Sequence, residues 1–514
     1  MSRKVTDNVV TTKTGTTHVR TLIIGSGFAG LGAAIRLIQE GQDDFLVLER
    51  GKDVGGTWRD NTYPGAACDV PSHLYSYSFA LNPEWSRSFS TQPEIQRYIK
   101  SVADKYSVRD KHVFGCDVQS AHWDDENAEW SVQTNKGKYT ADVLVSAVGA
   151  LCEPSLPDIK GINDFQGTIF HSAQWDHESD LTGKRVAVIG TGASAIQIVP
   201  AIAGKVEHMD VYQRTAPWLL PRFDRPYTGI EKFAFKHIPG VQRASRLGIY
   251  WAREAQVIGL TKFPVAMKPL ELIARAKLQY EVRDAELRDK VTPNFQIGCK
   301  RMLISNEYYP ALGRDNVELV TDGIKEVRAN SIVTQDGTER EIDAIVVATG
   351  FHVTDSPTFQ TIFGKDGRSL ADVFDEGGQQ GYKGTAIANF PNMFFLVGPN
   401  TGLGHTSMVF MIESQINYLA DALKTIDEQG LRTVEVRKEE QDAYNKDLQD
   451  KLAKSVWNTG GCASWYLDKH GNNTTLWPGF TFEFRRMLNN FDVAAYDTTS
   501  AGDVAPLKEK AAAR

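Results

Sequence analysis

The amino-acid sequence predicts an α/β protein built from two similar parallel-sheet domains. Two stretches, VRTLIIGSGFAGLGAAIRL (19–37) and KRVAVIGTGASAIQIVPAI (184–202), each have the pattern of an apolar strand, a glycine-rich turn and a helix. Each is followed by a matching later strand, ADVLVSAVGA (141–150) or IDAIVVATGF (342–351), with Asp, Ala and Gly in step. A repeated strand–turn–helix unit of this kind is typical of Rossmann-like dinucleotide-binding domains.

The order of these segments predicts the domain boundaries. The second copy is 36 residues longer between its glycine turn and its later strand, and the composition of about 222–290 is helical, so we expect a helical insertion there. A further apolar strand and glycine-rich turn, NMFFLVGPNTGLGHTSM, predicts a return to the first domain. The expected organisation is a disordered leader (1–18), a discontinuous first domain (19–155 and 350–490), a second domain (156–349) and a loose C-terminal tail (491–514).

Composition excludes several classes of protein. The 514 residues are 41% hydrophobic and 24% charged, with a net charge of −7, which disfavours nucleic acid as a partner. We find no signal peptide and no run of ~20 apolar residues that could span a membrane. The five cysteines form no CxxC pair and no metal-ligand spacing, which predicts a reducing, cytoplasmic location without a metal site and disfavours a dithiol–flavin reductase. These cysteines are Cys68, Cys116, Cys152, Cys299 and Cys462.

The first glycine turn predicts a pyrophosphate site. In such a turn one glycine makes the tight bend, another admits the pyrophosphate and a third allows the helix to approach the strand, while the helix N-terminus offers free N–H groups. Glu49 ends the next strand, where a carboxylate accepts hydrogen bonds from ribose hydroxyls. The turn residues expected to bind the cofactor are Gly25, Gly27, Phe28, Ala29 and Gly30.

The second glycine turn predicts a site with the opposite ribose preference. Its next strand ends in Gln213, Arg214 and Thr215, so an arginine stands beside the place of the acidic residue. Arg214 would attract a 2′-phosphate that a carboxylate would repel, which favours NADPH over NADH. The expected contacts here are Gly190, Thr191, Gly192, Ala193, Ser194, Arg214 and Thr215.

Two dinucleotide sites with different ribose chemistry predict a pair of different cofactors. Two nicotinamides have no useful hydride chemistry together, whereas a flavin accepts hydride and passes electrons onward. We therefore expect FAD in the first domain and NADPH in the second.

Two further stretches resemble a known family. GGTWRDNTYPGAACD (55–69) and FQGTIFHSAQWD (165–176) are similar to the two signature stretches of Baeyer–Villiger monooxygenases. The first matches at Gly56, Trp58, Tyr63, Pro64, Gly65 and Asp69, and the second at Phe165, Gly167, His171, Trp175 and Asp176. The resemblance covers about residues 20–490.

The resemblance implies an activity and its residues. NADPH would reduce FAD, the reduced flavin would take O2 to a C4a-peroxyflavin, and attack on a ketone would give an ester or lactone. Arg301 matches the family's active-site arginine, Asp69 the carboxylate that orients it, and Lys300 a residue that helps Arg214 to hold the 2′-phosphate. Fixed positive charge is what a peroxide anion and a tetrahedral oxyanion need in a dry site. The remaining expected cofactor contacts are Arg50, Gly56, Thr57, Trp58, Tyr63, Asp69, Val70, Tyr75, Gln197, Lys300 and Arg301.

Three aromatic or imidazole side chains are expected to have conformational rather than catalytic roles. His171 and Trp175 lie between the two repeats and are interpreted as a domain hinge, with an ordinary packed linker as the alternative. Trp465 matches a family stretch that approaches the active site, so it is a candidate lid, with a buried structural aromatic as the alternative.

The stretch GPNTGLGHTS (398–407) departs from the turn found in well-known ketone-converting members. It leaves open a flavin-containing N- or S-oxygenase of amines or sulfides, and a catalytically lapsed nucleotide-binding protein is the third alternative. The ketone, its regiochemistry, the oligomeric state and the roles of Asn400 and His405 are not predicted.

Overall fold

We describe the fold from a computed structural model, which covers residues 10–11 and 15–500. Most of the expected leader (1–9 and 12–14) and the end of the expected tail (501–514) lie outside the described residues. Within the leader, Val10 and Thr11 pair antiparallel with His18 and Thr17.

The described chain contains 21 strands and 14 α-helices. The strands are β1 Val10–Thr11, β2 Thr17–Ile24, β3 Phe45–Glu49, β4 His112–Phe114, β5 Val118–Asp124, β6 Glu129–Thr134, β7 Gly137–Ser146, β8 Thr168–His171, β9 Arg185–Ile189, β10 His208–Tyr212, β11 Leu219–Leu220, β12 Leu303–Ile304, β13 Val317–Val320, β14 Ile324–Val327, β15 Ser331–Thr334, β16 Glu339–Glu341, β17 Ala344–Val347, β18 Ile362–Phe363, β19 Met393–Phe395, β20 Leu431–Val436 and β21 Tyr496–Ser500. The helices are α1 Phe28–Gln39, α2 Thr57–Asp60, α3 Gln92–Lys105, α4 Ala195–Ile202, α5 Gly229–His237, α6 Val241–Glu254, α7 Lys268–Glu281, α8 Ala285–Lys290, α9 Tyr308–Leu312, α10 Leu370–Gly377, α11 Met408–Glu428, α12 Lys438–Leu452, α13 Val456–Thr459 and α14 Thr481–Met487.

Two parallel sheets form the centres of the two domains, and four strands have the same order in both, β7-β2-β3-β4 and β17-β9-β10-β13. In the first sheet the parallel strands run β19-β7-β2-β3-β4, and an antiparallel extension adds β6 and β5 beyond β7. In the second sheet the order is β8-β17-β9-β10-β13, all parallel. The predicted fold class, two Rossmann-like domains in one α/β chain, is confirmed.

The two glycine turns are built with the same backbone hydrogen bonds. Gly25 N–H donates to Leu48 O and Gly190 N–H to Tyr212 O, so each turn is fixed to the end of the neighbouring strand. Both glycines have positive φ, +100° and +116°, and a Cβ at either would lie 2.7 or 2.4 Å from the carbonyl oxygen of Ala147 or Ala348. The alanine at matching positions of the two later strands, Ala147 or Ala348, is therefore the residue on which each glycine turn packs.

The helical insertion of the second domain is α5 to α8, between β11 and β12. It also reaches the first domain: Arg246 Nη1 donates to His73 O at 2.6 Å and to Leu74 O at 3.1 Å, and Gln242 Nε2 donates to Asn82 O at 2.6 Å. The insertion thus belongs to the second domain in sequence and also packs against the first.

Residues 491–500 differ from the expected loose tail. Phe491, Ala495 and Tyr496 are buried, and β21 pairs antiparallel with β20. The apolar residues among the small and charged ones complete a hydrophobic cluster, which the composition of the segment did not indicate.

Among residues 10–11 and 15–500, none of the helices combines the length and the apolar composition that crossing a membrane requires.

Candidate active site between the two domains

The first glycine turn leads directly into α1, whose first residue is Phe28. A Cβ at Gly30 would lie 1.9 Å from Gly25 O, so only glycine lets the helix close on the turn. Gly27 lies against Gly56, with 3.7 Å between an added Cβ at Gly27 and the Gly56 Cα. The expected residues Gly27 and Gly56 therefore bring two glycine-bearing loops together at the N-terminus of α1.

Glu49 is buried at the end of β3, 3% exposed. Ser26 N–H donates to its Oε2 at 2.9 Å, Gly51 N–H donates to its Oε1 at 2.6 Å, and Arg59 pairs with Oε1 at 2.7 Å. The carboxylate keeps acceptor capacity for a ribose hydroxyl, because two oxygens offer about four lone-pair sites. Arg59 is a site residue that the sequence analysis missed.

The other expected residues of the first site fall into two groups. Trp58 Nε1 donates to Tyr75 Oη at 3.0 Å, and the Tyr75 ring lies 5.3 Å from that of Phe28. Val70 is buried, Thr57 is exposed, and exposed Arg50 donates to Cys152 O and pairs with Glu153. The aromatic group lines the turn, whereas Arg50 is engaged with the 150–155 connection.

The second glycine turn is open. Gly192 and Ala193 are exposed, and an added Cβ at Gly192 would meet nothing within 4 Å. Ser194 precedes α4, and Thr191 Oγ1 donates to Thr215 O at 3.1 Å, which ties the turn to the end of the next strand.

Two unpaired cations lie at this second turn. Neither Arg214, which is exposed, nor Lys300 has an ion pair with an acid within the part of the chain that is described. Burial lowers the pKa of Lys300, and the positive charge of Arg214 lowers it further. Like charges held within electrostatic range of each other favour binding of a dianion such as a phosphate.

The first signature stretch docks on the second domain. Tyr63 Oη donates to Gln197 Oε1 at 3.0 Å, Gln197 Nε2 donates to Ala67 O at 3.0 Å, and an added Cβ at Gly65 would lie 2.6 Å from Gln197 O. Tyr63 and Gln197, both expected to contact cofactors, are thus bonded to each other at the domain interface.

Arg301 lies where the two domains and the C-terminal part of the chain meet. Its Nε donates to Asp69 Oδ2 at 2.7 Å and its Nη1 to Leu403 O at 3.1 Å. Asp69 belongs to the first signature stretch and Leu403 to the turn between β19 and α11. The structure therefore brings together the two residues expected to be catalytic, and Leu403 is a partner that the sequence analysis missed.

The charges of this pair reinforce each other. Asp69 raises the pKa of Arg301 above its ordinary value, against the effect of burial. Burial acts to raise the pKa of Asp69, but Arg301 and, more weakly, Arg253 bring it below the ordinary value. Both side chains are about 30% exposed, so a fixed charge pair faces open space.

The second signature stretch forms the edge of the second sheet. Residues 168–171 are strand β8, and His171 pairs in register with Val347 of β17. Phe165 is buried, and a Cβ at Gly167 would lie 2.6 Å from its ring. His171 is buried with its ring 5.7 Å from that of Phe351, and Trp175 lies 4.8 Å from Phe170. The expected hinge residues are packed at the start of the second domain, and their role in a motion stays a prediction.

The C-terminal segment lies beside the Arg301–Asp69 pair. Tyr466 is 1% exposed and lies close enough to Arg301 for the arginine to oppose the pKa rise that burial causes. Trp465 is 50% exposed with its ring 4.6 Å from that of Tyr466. The lid role of Trp465 stays a prediction, and the alternative of a buried aromatic describes Tyr466 instead.

A disulfide joins this C-terminal segment to the stretch that carries Arg301. Cys299, two residues before Arg301, is bonded to Cys462, with 6.1 Å between the Cα atoms and a sequence separation of 163. A disulfide is not expected in the reducing location that the cysteine pattern predicts. The sequence did not reveal this bond because the contact is non-local and carries no spacing signature.

We expect three free thiols in denatured, unreduced protein and five after reduction, since Cys68, Cys116 and Cys152 are free. Cys462→Ser should lower the free energy of unfolding by about 2–5 kcal/mol, the usual cost of losing a native disulfide. Thiol titration and thermal unfolding measure both effects, and Cys152→Ser is the matched control. Five reactive thiols without reductant would contradict the cross-link.

Comparison with known proteins agrees with this fold. The family model described as "Pyridine nucleotide-disulphide oxidoreductase" matches residues 22–259. The chain is 51% identical over 481 residues to the "Baeyer-Villiger monooxygenase" of Streptomyces coelicolor, covering 93% of this chain and 92% of the relative. The crystal structure of cyclohexanone monooxygenase from Rhodococcus bound to NADP+ matches with a TM-score of 0.84 at 29% identity, over 94% of this chain and 99% of that one. The OTEMO complex with FAD and NADP gives 0.85 at 27% identity, over the same shares.

Two dinucleotide-binding domains that meet at one ion-paired arginine define an oxidoreductase of the flavoprotein monooxygenase class. Within that class, the chain belongs to the Baeyer–Villiger monooxygenase family.

Proposed function

We propose that the protein uses NADPH and O2 to insert one oxygen atom next to a ketone carbonyl, giving an ester or lactone, with FAD in the first domain and NADPH in the second. The observation that carries the proposal is the position of Arg301, held by Asp69 at 2.7 Å and by Leu403 O at 3.1 Å between the two domains. The names of the relatives support the same reaction.

The residues of the first turn fit FAD. The close contact of Gly30 with Gly25 leaves backbone N–H groups at the N-terminus of α1 for a pyrophosphate, and buried Glu49 can accept from a ribose hydroxyl. Bound FAD would supply hydride acceptance and the activation of O2. Trp58 and Tyr75 would pack beside it.

Arg301 would stabilise the negative charge that develops on the carbonyl oxygen of the reacting ketone. It stays protonated at every working pH, so it contributes charge without donating its proton. Asp69 would fix its direction, and the carbonyl of Leu403 would hold the other arm of the guanidinium. A preorganised cation of this kind needs no reorganisation when the charge appears.

Arg214 and Lys300 would hold the 2′-phosphate of NADPH. We expect Arg214→Ala to raise the NADPH Michaelis constant tenfold or more, because a charged hydrogen bond is lost. Such a bond contributes about 1.5–3 kcal/mol to the free energy of binding. The NADH constant should barely change. Steady-state kinetics with both nucleotides measure the difference.

Arg243→Ala is the matched control, since Arg243 is an exposed arginine of the insertion. Equal losses with NADPH and NADH in Arg214→Ala would show that Arg214 does not contact the phosphate.

The function is tested by incubating the purified, FAD-loaded protein with NADPH in air and a panel of linear, cyclic and aromatic ketones. Ketone-dependent NADPH consumption with an ester or lactone as product supports the proposal. An amine or sulfide panel run in parallel tests N- or S-oxygenation, and oxidation of those compounds alone would replace the proposal. Protein that binds no FAD would overturn it.

A further inference from the structure

A buried polar cluster lies behind the turn that holds Leu403. Glu254, the last residue of α6, is 0% exposed and His405 is 5% exposed. His405 Nε2 lies 3.1 Å from Glu254 Oε1, while Thr481 donates to the same carboxylate from its N–H at 2.9 Å and from its Oγ1 at 2.8 Å. One carboxylate thus joins the insertion, the β19–α11 turn and the start of α14.

These contacts determine which ring nitrogen of His405 has a hydrogen-bond partner and which does not. A carboxylate oxygen accepts, so Nε2 carries a proton and donates it to Glu254. Nδ1 is buried and has no hydrogen-bond partner among the described residues. Leaving a buried ring nitrogen without a partner is destabilising, and exceptions in native proteins cluster where a ligand or water completes the site.

The turn that carries His405 flanks the first dinucleotide site. β19 pairs in parallel with β7, and Ala147, just after β7, accepts the close approach of Gly25. The turn after β19 therefore leaves the sheet at its carboxyl edge, beside the glycine turn, where α/β domains bind their ligands.

The turn is also held in an uncommon conformation. Val397 and Asn400 have positive φ, +71° and +55°. Asn400 Nδ2 fixes the turn by donating to Asn473 O at 2.7 Å and to Leu476 O at 3.1 Å. Left-handed backbone at a β-branched residue is costly and concentrates at ligand-binding sites.

We propose that His405 is a further cofactor-contacting residue of the active site, whose free Nδ1 forms a hydrogen bond with bound FAD, and that Glu254 is its positioning residue. The inference rests on the proposed function only in taking FAD as the occupant of the first domain. Glu254 orients the ring from the opposite side, so the insertion of the second domain takes part in building the flavin pocket of the first.

Two substitutions separate the two nitrogens of the ring. In His405→Gln the amide reaches the place of Nε2 and keeps the contact with Glu254 but loses the Nδ1 position, whereas in His405→Asn the amide lies near the place of Nδ1. We expect His405→Gln to raise the dissociation constant of FAD by about two- to tenfold, the range for one hydrogen bond, and to shift the visible absorption bands of the flavin. His405→Asn should lie closer to wild type in both measurements.

The experiment is a titration of the full-length apoprotein with FAD, followed by fluorescence and absorbance, with no ketone or NADPH present. His470→Gln, at an exposed histidine, is the matched control, and apoprotein melting temperatures report folding. Glu254→Gln should weaken FAD binding in the same direction, and the double variant with His405→Gln should lose less than the two single losses combined.

Unchanged FAD affinity and unchanged flavin spectrum in His405→Gln would overturn the proposal and leave Nδ1 to a water molecule. Weaker FAD binding in Glu254→Gln with normal binding in His405→Gln would also overturn the proposal, because the cluster would then have a purely structural role. Wild-type protein that fails to bind FAD would instead overturn the proposed function, so the two failures are distinguishable.

Discussion

Arg301→Ala is expected to reduce ester formation to a small residual rate while NADPH still reduces the bound flavin. The variant keeps both glycine turns and the Arg214–Lys300 pair, but it loses the only side chain that joins Asp69 and Leu403 O across the described interface. Removing a preorganised stabilising group of this kind costs roughly a hundred- to a thousandfold in rate. Rapid-mixing measurements of flavin reduction, alongside product analysis by mass spectrometry, separate the two half-reactions.

Arg301→Lys is the informative control for this prediction. It keeps the positive charge but loses the planar fork that bonds Asp69 and Leu403 O together, so it should recover only a small part of the lost rate. NADPH consumption in both variants should continue as uncoupled oxidation, with hydrogen peroxide as the product. Ester formation near the wild-type rate in Arg301→Ala would remove Arg301 from the mechanism.

Asp69→Ala is expected to give the second largest loss, about tenfold to a hundredfold in ester formation, because orienting partners of a reactive group typically contribute on this scale. Arg301 keeps its charge but loses its 2.7 Å partner and the direction that partner imposes. The measurement is the rate of ester formation at saturating NADPH. Asp69→Asn, which retains one oxygen acceptor, should lose less.

The coupling of the two residues gives a second readout. If Asp69 acts through Arg301, then Asp69→Ala in an Arg301→Ala background should cost little more. The pair also has a defined pH dependence. Because the pKa of Asp69 is lowered in the folded protein, its stabilising contribution is complete above about pH 4 and is lost only as the pH falls further, through the lowered pKa. Loss of the interaction between pH 5 and 8 would contradict this.

The parts of the fold that repeat locally could be predicted from the sequence. A strand, a glycine turn and a helix lie within about twenty residues of each other, and positive φ at Gly25 and Gly190 makes the glycine requirement visible in the chain itself. The resemblance to a family then added Arg301 and Asp69, which lie 232 residues apart and which no spacing rule connects.

What could not be predicted consists of contacts between distant segments. The Leu403 carbonyl is a backbone group, so no side-chain pattern indicates its bond to Arg301. Tyr63 and Gln197 satisfy each other across the domain interface, and Cys299 meets Cys462 only after folding. Strand β21 was missed for a related reason, since its pairing with β20 supplies a stability that its composition does not indicate.

The central claim is that molecular oxygen is cleaved between the two domains and one of its atoms enters a ketone. The most direct measurement is the mass of the ester formed from a converted ketone under 18O2 in ordinary water, repeated under ordinary O2 in 18O-labelled water. One labelled oxygen is expected in the ester formed under 18O2, and none from labelled water. An ester without label from 18O2, or label acquired only from water, would contradict it.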